Sequence, residues 1–544
     1  MNTRDSLYRR VLQDRQDLFN RALADGIYTP FIYPWDTLPV VFLILGVTVA
    51  PRLPSLLGRI SRYTLTLSSL WYLLIRWPYV RTVGLTAGYG IGLAGFWGLI
   101  MTVILLILHD PGKDFRRIEV RRTKKERRAS APSANGPESQ SQNGLVRKRA
   151  LPDLREASKE DEAVTGTAHG LQAYELVWQE QPREFFHLLD WSADLMTTFR
   201  GINWNTRVPI KTYVVPPPEG HPPRLSAEAQ RLNEGALQRL QRSSIRNFLC
   251  YYVLTDFLKT LMMTDSYWLG LTAIDAPTPW PWLARLNQVV PYATKFCRLG
   301  ISMAAVVTAL TLIFSLNPLF FGTILPYLLD DKLYVITKSP LLEVWMYPPQ
   351  WGNMFMTLCN KGLAGMWSTW WHQMFRYGIS EPAKLLTQRL NISPRSQLGR
   401  AIQLFVAFGL TASIHAAASS TTFSIIPGRP WHPFIFFISQ AVGIMVQTEV
   451  ARRLNKIGEF PKIARQAGNF LFVFVFLWYT GPYLSDDFAR CQIWLFEPVP
   501  ISIFRGLGFG SADCWFPWYQ FPEGGRWLGW WNGGRWYNSG IGMF

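Results

Sequence analysis

The apolar residues of this chain fall into long uncharged runs, whereas soluble domains show short patches broken by polar positions. Residues 82–108 and 299–329 contain no Asp, Glu, Lys or Arg, and each exceeds the about 20 residues that a helix needs to cross a bilayer. Runs of spanning or near-spanning length also occupy 402–420, 431–447 and 467–484. Those at 37–50 and 65–75 are shorter, and 248–274 is apolar but interrupted by Asp256, Lys259 and Asp265. The pattern predicts an all-α, polytopic integral membrane protein with roughly eight transmembrane helices. Asn317-Pro318 predicts a kink or split in the 299–329 run, because proline removes a helix hydrogen bond and crowds the preceding turn.

The polar stretches divide the chain. Residues 1–109 read as an N-terminal transmembrane region. Lys113, Arg116, Arg117, Arg121, Arg122, Lys124, Lys125, Arg127 and Arg128 follow at once. Basic residues beside a span mark the cytosolic side. Residues 110–170 therefore read as a basic, disordered cytosolic loop, whose polar low-complexity part runs from 129 to 165 and cannot bury enough apolar surface to order itself. Residues 171–247 read as an interfacial segment, with aromatic and charged residues mixed around Arg200-Gly201-Ile202-Asn203-Trp204-Asn205, then a charged surface helix over 226–241. Residues 248–497 form the expected membrane core. In the aromatic and Gly-rich tail, 498–544, Gly524-Gly525-Arg526-Trp527 is echoed by Gly533-Gly534-Arg535-Trp536, a pattern that suits an interfacial anchor.

Composition agrees. Of 544 residues, 17% are charged and 49% hydrophobic, against about 25% charged in soluble domains. The net charge of +18 sits beside apolar runs, where it reads as a topology and lipid-headgroup signal; there is no nucleic-acid module, and nucleic acid is not expected as a partner. The five cysteines are odd in number and lack metal-ligand spacing, so no metal is expected. Cys250, Cys297 and Cys359 lie in or beside apolar sequence and read as buried free thiols, while Cys491 and Cys514 are left open to a lumenal environment.

Two histidines stand out against this background. His415 lies in an uncharged stretch, and on a helix it shares a face with Thr411, Ala412, Ala418 and Ser419, all small or hydroxylated. Such a face either packs closely on another helix or opens onto space for a ligand. His372, in Trp367-Ser368-Thr369-Trp370-Trp371-His372-Gln373-Met374-Phe375-Arg376, has the helical neighbours Ser368, Thr369, Phe375 and Arg376. Ionisable groups inside membrane segments are expensive and mark functional sites by default; each ring could also serve only to hydrogen-bond a neighbouring helix.

Tyr347-Pro348-Pro349-Gln350-Trp351-Gly352, then Trp367, Trp371-His372-Gln373 and Phe375-Arg376, then the apolar helix holding His415, resembles the wax-synthase-like branch of the membrane-bound O-acyltransferases. The matching block spans about 340–420. Arg200-Gly201-Ile202-Asn203-Trp204-Asn205 is similar to a signature of fungal members that acetylate hydroxyl groups of terpenoid and meroterpenoid metabolites. Ser368-Thr369-Trp370 departs from the Gly-Arg-Arg usual there and removes positive charge. The resemblance implies an acyltransferase in the endoplasmic reticulum membrane, using acetyl-CoA as acyl donor and a lipophilic alcohol as acceptor, among membrane lipids. It casts His415 as general base and His372 as an orienting or polarising group, with Trp371, Gln373 and Arg376 toward the CoA. An imidazole with an ordinary pKa of about 6.5 suits that task near neutral pH.

Two rival classes follow from the same features. A long-chain acyl donor would make the chain a wax or steryl ester synthase. A transporter could route protons past a membrane histidine and Asp256 or Asp265, although the chain lacks the internal repeats of that class.

Overall fold

A computed structural model describes residues 6–84, 88–122, 174–206, 227–371, 375–510 and 514–544. The low-complexity stretch at 129–165, His372 and Gln373 lie outside the described residues. The protein is mostly helical and its membrane part is a bundle. Among the described residues, six helical segments are long and apolar enough to cross a membrane: Trp35–Arg52, Tyr89–Leu108, Ala293–Leu329, Gln397–Thr421, Trp431–Ile457 and Lys462–Arg490. The other two expected spans fall on helices α3 (Ser55–Arg76) and α6 (Ala227–Met262), whose charged residues set them apart from the six. Helix α6 also corrects a boundary. The surface helix expected at 226–241 and the membrane segment expected from 248 are one continuous helix of 36 residues.

Before these come α1 (Leu7–Ala24), strand β1 (Phe31–Tyr33) and α2 (Leu38–Thr48). Helix α4 (Tyr89–Thr102) follows α3, then strands β2 (Arg117–Arg122) and β3 (Tyr174–Gln179) and helix α5 (Phe185–Thr197). After α6, α7 (Pro281–Val289) leads into α8 (Ala293–Leu319). Pro318 lies inside α8, and a π-turn over Phe320–Ile324 follows it, the break that Asn317-Pro318 predicts. Short α9 (Leu325–Leu329) and α10 (Leu333–Ile336) turn the chain toward α11 (Met354–Gly365) and α12 (Arg376–Arg389). Helices α13 (Gln397–Thr421), α14 (Trp431–Ile457) and α15 (Lys462–Arg490) complete the bundle, and α13 packs against α4, α12 and α14.

The bundle has one basic end, where Arg395, Arg400, Arg452, Arg453, Lys456, Lys462 and Arg465 flank the spans. A folded cap closes it. Strands β2 and β3 pair antiparallel, from Arg117↔Gln179 to Arg122↔Tyr174. The expectation of an unstructured loop from 110 is thus corrected at its start. Arg117, fully buried, makes the difference: its guanidinium meets Asp190 at 2.6 Å, Asp194 at 3.2 Å and Gln179 at 3.0 Å. A buried cation with that many anionic and polar partners orders the strand that carries it.

The opposite end joins the two termini. Strands β4 (Leu528–Trp531) and β5 (Gly540–Met543) form an antiparallel sheet with β1, in the order β1-β5-β4. Buried charges fasten the rest. Lys259 Nζ donates to Tyr8 Oη at 3.1 Å and Trp494 O at 2.6 Å, Tyr8 donates to Glu497 at 2.7 Å, and Arg505 pairs with Glu497 through two bonds. Asp256 accepts from Ser502 Oγ and from the amides of Ile503 and Phe504, which caps the short helix α16 (Ile503–Gly506). Asp265 and Arg298, neither with any exposed side-chain surface, pair at 2.9 Å. Both carboxylates weighed as proton carriers are therefore committed to holding the fold. The cysteines are all unpaired; Cys250, expected buried, is exposed, Cys297 and Cys359 are half-buried, and Cys491 and Cys514, which the sequence left open, are buried.

Candidate active site

His415 lies on α13 where α4 and α14 close over it. Its Nδ1 is 3.0 Å from the hydroxyl of Tyr89, the first residue of α4. Its ring stacks on Phe437 of α14, centroids 4.5 Å apart and planes at 20°. Among the described residues, Nε2 has no hydrogen-bond partner. The residue is partly buried between these helices.

The approach of α4 to α13 depends on small residues. Ala418 is fully buried, and a Cβ on Gly92 would come 2.5 Å from Ala417 O and Ala418 Cα. No side chain fits there, so the helices meet backbone to backbone. Thr421 Oγ1 donates to Gly88 O at 2.9 Å and pins the start of α4 in register. Ser419, one turn beyond His415, donates to the buried Asp487 at 3.0 Å. Of the two uses that the sequence leaves open for the small-residue face, the structure shows packing: Ala418 and Ser419 pack against neighbouring helices.

The Trp-rich block reaches His415 through Phe437. Helix α11 begins near the start of α15, where Gln466 Nε2 donates to Asn360 Oδ1 at 2.7 Å. It then kinks at Gly362, φ +58°, a conformation that other residues adopt only with strain. Gln447 holds the kink by accepting from Leu363 N at 2.8 Å and is held in turn by Asn469 at 3.0 Å. A π-turn over Met366–Trp370 carries Trp367 deep into the bundle. There its Nε1 donates to Gln440 at 3.2 Å, and its ring meets Phe408 and Phe437 edge-on, at 5.7 and 5.9 Å.

The continuous helix expected from Trp367 to Arg376 is corrected: the helix stops at Trp370, Trp371 has extended backbone, and α12 starts afresh at Arg376. The packing of Trp351, Trp370 and Trp371 explains the break. These rings lie 4.9 to 6.0 Å apart, and a straight helix would point Trp370 and Trp371 about 100° apart. Trp371 and Arg376 are half-buried, and burial lowers the Arg376 pKa. His372 and Gln373 belong to the stretch outside the described residues.

Arg200-Gly201-Ile202-Asn203-Trp204-Asn205 plugs the basic end directly above this block. Arg200 donates to Pro348 O at 3.0 Å, Pro349 O at 2.9 Å and Gln350 O at 3.4 Å. Gly201 has φ +61°. Asn203 donates to Asp194 at 2.9 Å, Trp204 packs edge-on to Trp191 at 5.0 Å, and Asn205 bridges Arg116 N and Asp114 O. The two motifs, 148 residues apart, are one structural unit.

Sequence reasoning missed Tyr89 and Phe437. Tyr89 had one available signal, a single hydroxyl-bearing ring between glycines at the start of an apolar helix; Phe437, among many phenylalanines, had none. Among the described residues, no group of three or more His, Cys, Asp or Glu side chains is placed to hold a metal ion.

Fold and site together define a multi-pass helical membrane protein with a histidine inside its bundle, one ring nitrogen held by Tyr89. Residues 347–439, which run from the Arg200-clamped loop to just past Phe437, match the sequence model of the Membrane bound O-acyl transferase family. The chain is 30% identical over 116 residues to acetyltransferase spyB of Aspergillus fumigatus, covering 21% of this chain and 18% of that protein. It is 24% identical over 163 residues to acetyltransferase ataH of Aspergillus terreus, covering 29% and 53%. It is 22% identical over 342 residues to acetyltransferase eriL of Hericium erinaceus, covering 61% and 75%. The chain thus spans at most about half the length of the first two of these relatives. No solved structure matches it.

Proposed function

We propose that this protein is an O-acyltransferase of the endoplasmic reticulum membrane that moves an acetyl group from acetyl-CoA to a hydroxyl of a terpenoid-type metabolite. The observation that carries the proposal is the geometry at His415, which lies within the segment that matches the acyltransferase family: one ring nitrogen is anchored to Tyr89, the other has no hydrogen-bond partner among the described residues, and the ring stacks on Phe437. The acetyltransferase names of the relatives favour a short acyl group. The wax-synthase-like pattern of the Trp-rich block supports the branch. An apolar bundle suits a lipophilic alcohol, which partitions into the bilayer and reaches the ring from the membrane side.

In the proposed reaction the acceptor oxygen attacks the thioester carbonyl carbon as Nε2 of His415 takes the hydroxyl proton. The new C–O bond forms, the C–S bond breaks, and the CoA thiolate leaves and takes back the proton from the imidazolium. No acyl-enzyme is needed, because a thiolate is already a good leaving group. His372 orients or polarises the thioester, and Trp371, Gln373 and Arg376 bind the CoA; Arg376, at the first turn of α12, supplies the positive charge for its phosphates. The basic end of the bundle faces the cytosol, where CoA is supplied.

Microsomes containing the full chain are incubated in parallel with acetyl-CoA and palmitoyl-CoA and a panel of alcohols including farnesol and ergosterol, with products identified by mass. Acetyl esters are expected. His415→Ala, at equal protein level, is expected to lower transfer by at least about 10²–10⁴-fold, the worth of a general base. Retained transfer in that variant overturns the assignment of the base, and palmitoyl transfer without acetyl transfer overturns the donor.

A further inference from the structure

We infer that the end of the molecule where the two termini meet holds a binding site for a phosphate monoester, with Arg15 as its anchor and Arg526 at its mouth. The inference is independent of the reading of His415. A cavity of about 90 Å³ lies between α1, the segment after α15 and the C-terminal tail, and its wall includes Arg15, Gln16, Glu497, Trp518, Arg526 and Trp527. A single water needs about 10–15 Å³, so the space takes a phosphate group and the carbons next to it. Gln520, Phe521 and Arg526 are exposed at its rim, which gives a ligand a way in.

Arg15 is 3% exposed, and a buried guanidinium is costly unless anions and hydrogen-bond acceptors surround it. Among the described residues no carboxylate pairs with it. Its Nε and Nη2 donate to a single acceptor, Phe423 O, at 3.1 and 2.8 Å. Its Nη1 has only Val83 O, at 3.5 Å, too long for a full bond. Phe423 follows α13 and Val83 precedes α4, so Nε and Nη2 fasten the fold, and the charge itself stays uncompensated. Burial pulls the Arg15 pKa down to about 10, which still leaves it charged near neutral pH. Nη1 is the donor that the inference assigns to the phosphate.

The surroundings add positive charge. Among the described residues of the wall, Glu497 is the one side-chain carboxylate, and it is already taken. Arg505 holds it at 2.8 and 2.9 Å, Tyr8 donates to it at 2.7 Å, and Lys259 lies 3.9 Å away. Burial raises the Glu497 pKa, but Lys259 and Arg505 outweigh it and hold the carboxyl below its ordinary 4.5, so it stays ionised. Arg15, Lys259, Arg505 and Arg526 make four cations; Glu497 and the carboxylate that ends the chain at Phe544, where Gly84 N donates at 2.8 Å, make two anions. Two positive charges remain. A carboxylate ligand would cancel one of them, whereas a phosphate monoester carries about −1.5 to −2 at pH 7 and offers oxygens that suit the guanidinium fork. The aromatic wall suits the group that carries the phosphate: Trp518 and Trp527 meet edge-on at 5.6 Å, and Phe521 meets Trp527 at 5.5 Å. The headgroup of phosphatidic acid and soluble sn-glycerol 3-phosphate present this same chemistry.

The full chain in a neutral detergent is titrated with radiolabelled dioleoyl phosphatidic acid against an excess of dioleoyl phosphatidylcholine, and separately with radiolabelled sn-glycerol 3-phosphate. Saturable binding of one equivalent is expected, and which probe binds tells a lipid source from a soluble one. Arg15→Gln is expected to weaken binding about 10–100-fold, the worth of a hydrogen bond to a charged group. Arg526→Gln, at the exposed rim, is expected to weaken it by up to about fivefold. The basic end of the bundle also attracts anionic lipids, so hydrogen–deuterium exchange of the wild type locates the bound probe. Slower exchange over 7–24 and 514–531 is expected; slowing confined to 395–400 and 452–465 overturns the inference. Failure of both probes to bind saturably overturns it, as does binding that neither substitution weakens. Should the melting midpoint show that Arg15→Gln does not fold, the exchange map of the wild type and the affinity of Arg526→Gln decide.

Discussion

Arg200→Met tests whether the plug at the basic end holds the Trp-rich block in place. The substitution keeps an unbranched side chain and removes the guanidinium that binds three backbone carbonyls. Two of the bonds are short, 3.0 Å to Pro348 O and 2.9 Å to Pro349 O; the third, 3.4 Å to Gln350 O, is too long to count in full. A hydrogen bond to a charged group is worth about 1.5–3 kcal/mol, so the two short ones together amount to about 3–6 kcal/mol. Against this stands the cost of burying the guanidinium, visible in a pKa drawn down to about 10 by burial. The net loss therefore falls at the lower end, about 3 kcal/mol, which is about 10²-fold in the opening equilibrium of the loop. The assay is hydrogen–deuterium exchange of the full chain in nanodiscs, read on peptides covering 347–371 with α2 as the internal reference. Faster exchange confined to 347–371 is the expected result. Unchanged protection there, or a loss spread evenly over the bundle, refutes the clamp.

Two further predictions concern buried charges away from the histidine. Asp265→Ala strands Arg298 without its carboxylate and is expected to cost about 3–5 kcal/mol, seen as a lower midpoint of thermal unfolding in detergent; adding Arg298→Met should restore part of it, and a loss below about 1 kcal/mol would count against a structural role. For Glu381, burial raises the carboxyl pKa, but neighbouring His109 and Lys384 outweigh it and hold it below its ordinary 4.5. A lowered carboxyl pKa stabilises the fold above the unfolded-state value, and that contribution is lost as pH falls through the folded value. Glu381→Gln should therefore be less stable than wild type near neutral pH and converge on it as the pH drops below 4.5; a difference in melting midpoint that persists in acid refutes the linkage.

Residues 347–439, which resemble an acyltransferase family, include His415 itself. The family match covers the Trp-rich block and His415. The contacts to this segment come from elsewhere in the chain: Tyr89 from α4 meets His415, and Arg200 from the loop after α5 meets Pro348.

Much of this protein was legible in the chain alone, and for a definite reason. A bilayer requires every backbone polar group to be satisfied within its own segment, so membrane helices are local objects that announce themselves as uncharged runs. His415 stood out as a candidate for the same reason, since an ionisable group in such a run is costly to place. Where charges enter an otherwise apolar helix, as in α3 and α6, the signal weakens, because only tertiary partners such as Ser502 for Asp256 make those charges tolerable. The break after Trp370 was hidden for a related reason: helical periodicity favoured continuing through it, and the crowding of Trp351, Trp370 and Trp371 overrode that preference. Strand β2 was read as loop because its pairing partner lies beyond a long insertion and its first residue, Arg117, needs Asp190 and Asp194 to be buried. Which nitrogen of His415 is held, and by what, was decided only when α4 and α14 were brought against α13. A side chain's chemistry is written in the sequence; the partner that orients it is chosen by packing.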